Sequence, residues 1–252
     1  MKRALIFAYG ILSYGLFFVT FLYSIGFIGN IWVPKTIDSA PIYPIGISLA
    51  INLGLLGLFA LQHSGMARPA FKRWLTRFIS PAAERSTYVL LSTACLALLM
   101  WLWAPLGGVI WQLTQTWSAT AMTVLYFASW LLLLYATFLL DHFDLFGLRQ
   151  VFYNLRGKTA PDLAFRTPAL YRLVRHPIYV GWLGIMWFTP TMTVTHLVFA
   201  VGSTLYILGG IYLEERDLMA AHPEYAQYRR KVPALIPSFR RRLAAKPAPH
   251  SA

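Results

Sequence analysis

Four short segments contain the side chains that carry acid–base and anion-binding chemistry in proteins. They are Gln62-His63, Asp141-His142-x-Asp144, Arg175-His176-Pro177-x-Tyr179 and Glu214-Glu215. Histidine titrates nearest neutral pH, so His63 and His142 are candidate general bases, and a neighbouring carboxylate, Asp141 or Asp144, would raise the basicity of His142. The plainer interpretation is that charged residues at helix ends only anchor those helices. It explains the carboxylates less well, because seven of the nine acidic residues lie at or after Asp141.

The segment that begins at Arg175 has the features of a helix start with a ligand site. Pro177 suits the first turn of a helix, where its missing N–H would be unpaired anyway. Arg175 and His176 would then lie beside a positive helix N-terminus, which favours an anionic ligand group. Gly181 permits close backbone approach. A capped helix start without any ligand accounts for the same residues.

The acidic pair Glu214-Glu215 is predicted to serve two different partners. Successive residues of a helix point about 100° apart, so one carboxylate can pair with a basic residue of the neighbouring loops while the other binds a ligand cation or hydroxyl. Tyr225 and Tyr228 follow on one face of a further short helix.

These segments must be positioned by membrane-spanning helices. Hydrophobic residues make up 58% of the 252 residues and charged residues only 12%, against about 25% in soluble domains. This composition excludes an ordinary soluble globule and a disordered chain. Apolar stretches long enough to cross a bilayer run over 4–33, 42–61, 88–103 and 119–140, followed by a pair at 178–188 and 194–213 that is interrupted at Thr189-Pro190. We expect an all-α integral membrane protein with five to six transmembrane helices that ends in a helical hairpin, with interfacial helices on the cytoplasmic side.

The basic residues indicate orientation rather than nucleic-acid binding. Lys and Arg outnumber Asp and Glu by 22 to 9, a net charge of +13. With the N-terminus in the cytoplasm, Lys35 is the only Lys or Arg that lies on the opposite side of the membrane, as the positive-inside rule requires. We therefore expect cytoplasmic termini, the lipid bilayer as a partner and no nucleic acid. Residues 1–240 are predicted to form a single domain, followed by a basic, disordered tail at 241–252, and no feature indicates an obligate protein partner.

A metal site is not predicted. Cys95 is the single cysteine, which excludes a disulfide within the chain and a cysteine-rich metal site. A membrane di-iron oxidoreductase remains a rival because histidine and carboxylate ligands are present, but the paired spacings HxxxH and HxxHH are absent. A transporter or accessory protein is a second rival, and the scarcity of charge near the centre of the spans disfavours it.

Taken in order, the C-terminal segments resemble a known superfamily. The set Arg175-His176-Pro177-x-Tyr179-x-Gly181, Glu214-Glu215-x-x-Leu218, Tyr225-x-x-Tyr228 and Val232-Pro233-x-x-x-Pro237 resembles the signature of the integral-membrane methyltransferases that include isoprenylcysteine carboxyl methyltransferase. This signature covers residues 171–237. The run from His142 to Gln150, together with Gln62-His63-Ser64, resembles the bacterial methanethiol S-methyltransferases.

The resemblance implies a function for these residues. It implies methyl transfer from S-adenosylmethionine to a small thiol, methanethiol, to give dimethyl sulfide and S-adenosylhomocysteine, without a metal, in the inner membrane of a bacterium. The same chemistry on a prenylcysteine carboxylate, a phospholipid amine or another thiol is the alternative. The implied cofactor-binding residues are Arg175, His176, Tyr179, Gly181, Glu214, Glu215 and Tyr225, and the candidate catalytic residues are His142, Asp144, Asp141 and His63.

Overall fold

The computed structural model describes residues 1–161 and 163–238, so the predicted tail at 241–252 lies outside the described residues. Its helices are α1 Lys2–Gly29, α2 Ile45–Ala67, α3 Pro69–Leu75, α4 Pro81–Leu102, α5 Thr116–Leu140, α6 His142–Leu145, α7 Leu148–Leu155, α8 Pro177–Trp187, α9 Val194–Ala221 and α10 Tyr225–Lys231, with a 3₁₀ turn at Ala169–Arg172. Two short strands, β1 Val109–Gln112 and β2 Thr191–Thr193, pair antiparallel.

Five helices, α1, α2, α4, α5 and α9, are long and apolar enough to cross a membrane. Their mean hydropathy lies between 1.4 and 2.0, yet only 17–33% of each apolar window is buried inside the protein. Most of the apolar surface therefore faces outward, which is stable in lipid and not in water. The predicted membrane bundle is confirmed, with α8 as a sixth, shorter apolar helix.

The predicted C-terminal hairpin consists of a short helix, a strand and a long helix. At 1.5 Å per residue the 11 residues of α8 extend about 16 Å, roughly half of a hydrocarbon core of about 30 Å. The chain then continues through Phe188 to β2, which pairs with β1. Sequence patterns did not indicate this small sheet, because β1 is four residues long and exposed throughout. We call the end of the bundle that carries the sheet the sheet end.

The residues that could take part in catalysis or ligand binding lie at the opposite end, and we call it the site end. The 28-residue helix α9 leaves β2 at Val194 and reaches Glu214 after 20 residues, or about 30 Å. Helices α2 and α5 end there, and α4 and α8 begin there, because successive spans run in opposite directions. All four polar segments therefore lie at the site end, as the alternation of spans predicts.

Helix α8 is held at its depth by close packing on α5. A Cβ atom added at Gly181 would lie 2.8 Å from the Leu133 Cβ, and one added at Gly184 would lie 2.2 Å from the Ser129 hydroxyl. Small residues that let backbones approach are the usual means of packing helices in lipid. Gly181 thus permits the close backbone approach that its lack of a side chain predicts, and the approaching element is α5.

Candidate active site

The centre of the site end is Glu215, whose side chain is 4% exposed. Its carboxylate accepts hydrogen bonds from Arg175 Nε at 2.6 Å and His176 Nε2 at 3.0 Å, and it forms an ion pair with Arg229 Nε at 2.9 Å. Because an ionised carboxylate can only accept, Nε2 of His176 carries a proton. Three donors around one buried anion satisfy its charge and fix the start of α8 to the end of α9.

The C-terminal segment closes over this cluster. Arg175 Nη1 donates to the carbonyl oxygens of Arg229, at 3.1 Å, and of Val232. The backbone N–H groups of Arg175 and His176 donate to the carbonyls of Pro233 at 2.9 Å and Ala234 at 3.1 Å. The segment that follows Val232 therefore pairs through its backbone with the two residues that precede α8.

Glu214 has the opposite environment. Its side chain is 42% exposed, and it accepts a 2.7 Å hydrogen bond from the Tyr179 hydroxyl. The Nδ1 atom of His176 lies 3.9 Å from the same carboxylate, and the rings of His176 and Tyr179 stack with centroids 5.3 Å apart. The two acids therefore serve different partners, as their helical spacing predicts, and Glu214 is the one accessible to a ligand.

His63 joins this centre through tyrosines from other helices. Its Nε2 lies 2.8 Å from the Tyr88 hydroxyl and its Nδ1 lies 3.2 Å from the Ser92 hydroxyl. Tyr88 and Tyr206 both interact electrostatically with Glu214. Sequence analysis missed these tyrosines, because a tyrosine within an apolar span carries no signal that distinguishes a site from packing.

Tyr225 contributes a buried hydroxyl without a partner among the described residues. The residue is 2% exposed, and its ring packs edge-on against Phe165 at 5.8 Å and Tyr228 at 5.6 Å. Tyr228 donates to the carbonyl of Tyr171, and burial raises its pKa to about 12 against the opposing effect of Arg175. These phenols therefore remain neutral hydrogen-bonding groups at physiological pH.

His142 lies apart from this centre and is 3% exposed. Its Nε2 is 2.9 Å from the Tyr14 hydroxyl, its Nδ1 is 2.8 Å from the Thr137 hydroxyl, and the Phe138 ring stacks on it at 4.3 Å. Burial lowers the pKa of His142 below its ordinary 6.5, against the opposing charge of Asp141. The imidazole is therefore neutral at pH 7.

Asp141 and Asp144 are not the hydrogen-bond partners of His142, although the charge of Asp141 acts to raise its basicity. Asp141, in the left-handed region at φ 108°, caps α6 and accepts a hydrogen bond from the Asp144 N–H at 3.0 Å. Asp144 pairs with Arg149 at 2.7 Å. The helix that starts at His142 turns both carboxylates toward other partners, and hydroxyls from α1 and α5 take their place.

A cavity of about 120 Å³ lies beside His142, between α1 and α5. Its walls are apolar and mostly aromatic, and only Tyr14, Thr137 and His142 bring polar atoms to it. Phe17 and Phe146, stacked at 4.0 Å, form one wall and also pack against the cluster that contains Tyr88. The same two rings therefore contact both this cavity and the cluster that contains Tyr88, which hydrogen-bonds to His63.

A metal centre is not found in residues 1–161 and 163–238, where no three His, Cys, Asp or Glu side chains come together. The ligands that a di-iron enzyme would need are divided between the His142 cavity and the Glu214 centre. The fold and these two neighbouring sites define a class: a polytopic helical membrane protein with a buried ionised centre at one end of its bundle.

Comparison with known proteins identifies the family. Residues 51–230 match the family described as NnrU protein. The chain is 50% identical over 238 residues to a methanethiol S-methyltransferase of Mycobacterium tuberculosis, covering 94% of this chain and 98% of that protein. A methanethiol S-methyltransferase of Crocosphaera subtropica is also 50% identical, over 94% of this chain and 93% of its own. Nurim of Sus scrofa is 35% identical over 196 residues, 74% of this chain and 72% of its own. No solved structure matches the chain.

The chain therefore belongs to the NnrU protein family and, within it, to the methanethiol S-methyltransferases.

Proposed function

We propose that this protein transfers a methyl group from S-adenosylmethionine to methanethiol, giving dimethyl sulfide and S-adenosylhomocysteine. The observation that carries the proposal is the 50% identity to methanethiol S-methyltransferases over 94% of the chain, a range that includes every segment at the site end. A prenylcysteine carboxylate, a phospholipid amine and a larger thiol are the alternative acceptors.

The residues present fit this cofactor at the Glu214 centre. Glu214 is a half-exposed carboxylate suited to an ammonium or to ribose hydroxyls, and the buried Tyr225 hydroxyl has no partner among the described residues. The stacked rings of His176 and Tyr179 add an aromatic wall. Arg175 and Glu215 hold these groups in place through their mutual hydrogen bonds. When bound, the cofactor supplies a methyl group on a positively charged sulfur.

The chain's own contribution is a dry and ordered reaction site. Methyl transfer from a sulfonium to a thiolate converts a cation and an anion into two neutral sulfides, so exclusion of water favours it. The apolar helices exclude water, and alignment of the reacting atoms adds to the rate. A small thiol is mostly protonated at neutral pH, as cysteine with a pKa of about 8.5 illustrates, so a base is needed. His142, the neutral imidazole beside the apolar cavity, is the proposed base, and we place His63 with the cofactor centre because of its contact with Tyr88.

We further propose that the site end faces the cytoplasm of a bacterial inner membrane, with both termini on that side. The segments at the sheet end, 30–44, 103–115 and 188–193, contain Lys35 as their one basic residue, whereas 68–80 at the site end contain four. This distribution supports the orientation through the positive-inside rule. Residues 1–240 act as one domain in this proposal.

Headspace gas chromatography on detergent-purified protein tests the function. We expect dimethyl sulfide when S-adenosylmethionine and methanethiol are both present and none when either is omitted. Prenylcysteine and phospholipid amines, supplied with the same donor, should accept no methyl group. If S-adenosylhomocysteine binds and no dimethyl sulfide forms, the acceptor is wrong. If S-adenosylhomocysteine does not bind either, methyl transfer itself is refuted.

A further inference from the structure

The hydrogen bonds around His142 have one consistent direction. When the Thr137 hydroxyl donates its single proton to the carbonyl of Leu134, at 2.7 Å, it can only accept from His142 Nδ1, at 2.8 Å. In this arrangement Nδ1 carries the proton of the neutral imidazole. Nε2 is then the basic nitrogen, and the Tyr14 hydroxyl donates to it at 2.9 Å.

This arrangement covers the basic nitrogen with a hydroxyl instead of leaving it open to the cavity. Tyr14 is itself part of the cavity wall, and its oxygen keeps lone pairs after donating to Nε2. A thiol in the cavity would meet the Tyr14 oxygen as an acceptor for its S–H. The base and the acceptor substrate are thus connected through one phenol.

The cavity has the size and polarity for a small thiol. An apolar cavity of about 150 Å³ holds a benzene molecule, so the 120 Å³ beside His142 accommodates the two heavy atoms of methanethiol. Phe18 and Phe138, which line the cavity, are 45% and 52% exposed on the apolar outer surface, so a volatile apolar molecule can reach it from the bilayer.

We propose that the cavity between α1 and α5 is the binding site of the acceptor thiol and that Tyr14 is a catalytic residue that relays its proton to His142. This inference rests on the proposed function. The S–H bond of the thiol breaks as its proton bonds to the Tyr14 oxygen, while the phenolic proton passes to Nε2 of His142. The products are a thiolate, a neutral Tyr14 and an imidazolium. The thiolate then accepts the methyl group, and the imidazolium returns its proton to solvent.

Burial disfavours the charge of the imidazolium that this relay creates, and two hydrogen bonds and an aromatic ring offset part of that cost. The Nδ1–H group of the imidazolium donates a hydrogen bond to the Thr137 hydroxyl, and its Nε2–H group donates one to the Tyr14 oxygen, so both donors have an acceptor. The Phe138 ring lies parallel to the imidazole at 4.3 Å, with an interplanar angle of 7°, and an aromatic face attracts a cation.

The variant Tyr14→Phe tests the relay, since it removes the hydroxyl and keeps the ring. We expect kcat/KM for methanethiol at pH 7 to fall by about 10²-fold or more, the typical contribution of a positioned acid–base group. Binding of S-adenosylhomocysteine, measured by calorimetry, should not change. A fluorinated ethanethiol, which ionises at lower pH, should recover much of the lost rate, because it needs no base.

The matched control is Tyr9→Phe on the same helix. The Tyr9 hydroxyl does not line the cavity and donates to the Thr87 hydroxyl at 3.0 Å, so the rate of this variant should equal that of the unmodified chain. Tyr14→Phe with a rate within about threefold of the unmodified chain overturns the relay, and so does an equal loss with both thiols. Loss of S-adenosylhomocysteine binding in Tyr14→Phe also overturns it, in favour of a structural role. Failure of the unmodified chain to methylate methanethiol refutes the proposed function instead, independently of the variants.

Discussion

We expect the neighbouring acids Glu214 and Glu215 to divide ligand binding and stability between them. Glu215 is buried beneath Arg175, His176 and Arg229, so its removal leaves the largely buried guanidinium of Arg175 without its carboxylate partner. Breaking a buried ion pair from one side typically costs about 3–5 kcal/mol. We expect Glu215→Ala to lower the midpoint of thermal unfolding in detergent by many degrees or to prevent folding.

Glu214→Gln is the matched comparison at the adjacent position. Its amide oxygen can still accept the hydrogen bond from Tyr179, so thermal stability should remain near that of the unmodified chain. The lost charge should weaken S-adenosylhomocysteine binding about 10- to 100-fold, the equivalent of about 1.5–3 kcal/mol for hydrogen bonds to a charged group. Calorimetry and thermal unfolding on both variants measure this division, and a stable Glu215→Ala variant would contradict it.

The lowered pKa of His142 predicts how the rate depends on pH. Burial lowers its pKa below 6.5, so the neutral imidazole that accepts a proton persists as the pH falls through 6.5. The plot of kcat/KM for methanethiol against pH should therefore stay level from neutrality past 6.5 and decline only in more acidic solution. A decline with its midpoint above 6.5 would assign the base to another group. His142→Gln, which has no titrating imidazole, should lack this acidic limb and have a much lower rate.

At the scale of residues, sequence patterns identified polar residues that the fold brings to one end of the bundle, and not the contacts that these residues make. The spacing of Glu214 and Glu215 was enough to predict two partners, because helix geometry is local. The partners of His142 were not predictable, since Tyr14 is distant in the chain and Thr137 belongs to the preceding span. Asp144, two residues away, pairs with Arg149 and not with His142, because α6 is capped by Asp141 and turns the side chain away.

The helix α8 depends on its close approach to α5. A methyl group at Gly181 would lie 2.8 Å from the Leu133 Cβ and 3.0 Å from its backbone, where no flexible side chain can give way. We expect Gly181→Ala to destabilise the protein by about 1–3 kcal/mol, the usual cost of overpacking. The shift of α8 should also displace His176 and Tyr179 and weaken cofactor binding.

Gly209→Ala on α9 provides the control, because no atom lies within 4 Å of the added Cβ. Alanine is also the better helix former, so this variant should be at least as stable as the unmodified chain. Thermal unfolding in detergent and calorimetry compare the two. Equal stability of both variants would show that α8 tolerates displacement and that its depth is not set by this contact.

At the scale of elements, long helices were predictable and the structure between α8 and α9 was not. Apolar length alone identified the spans, since each crosses the bilayer by itself. The pairing of β1 with β2 depends on two segments about 80 residues apart, and neither is long enough to show an alternating pattern. The break at Thr189-Pro190 did mark where the helix stops, because a proline there cannot continue it.

At the scale of the whole molecule, the two ends of the bundle differ in how they are closed and in the residues that they carry. The sheet end is closed by backbone pairing between β1 and β2 and is almost free of basic residues. The site end is closed by the C-terminal segment, whose carbonyls accept from the backbone of Arg175 and His176. Because the proposed reacting groups lie at one end only, the side of the membrane on which that end lies decides which compartment would supply the cofactor.

Two threonines at opposite ends test the proposed orientation. Thr114 lies in the exposed segment before α5 at the sheet end, and Thr159 lies in the exposed segment after α7 at the site end. Cys95 is the one native thiol, so Thr114→Cys and Thr159→Cys are each placed in a Cys95→Ala chain. A membrane-impermeant thiol reagent applied to intact spheroplasts should label Thr114→Cys, and it should label Thr159→Cys only after the membrane is permeabilised. The reverse pattern would place the site end outside the cell, where S-adenosylmethionine made in the cytoplasm cannot reach Glu214, and would refute the orientation that the basic residues predict.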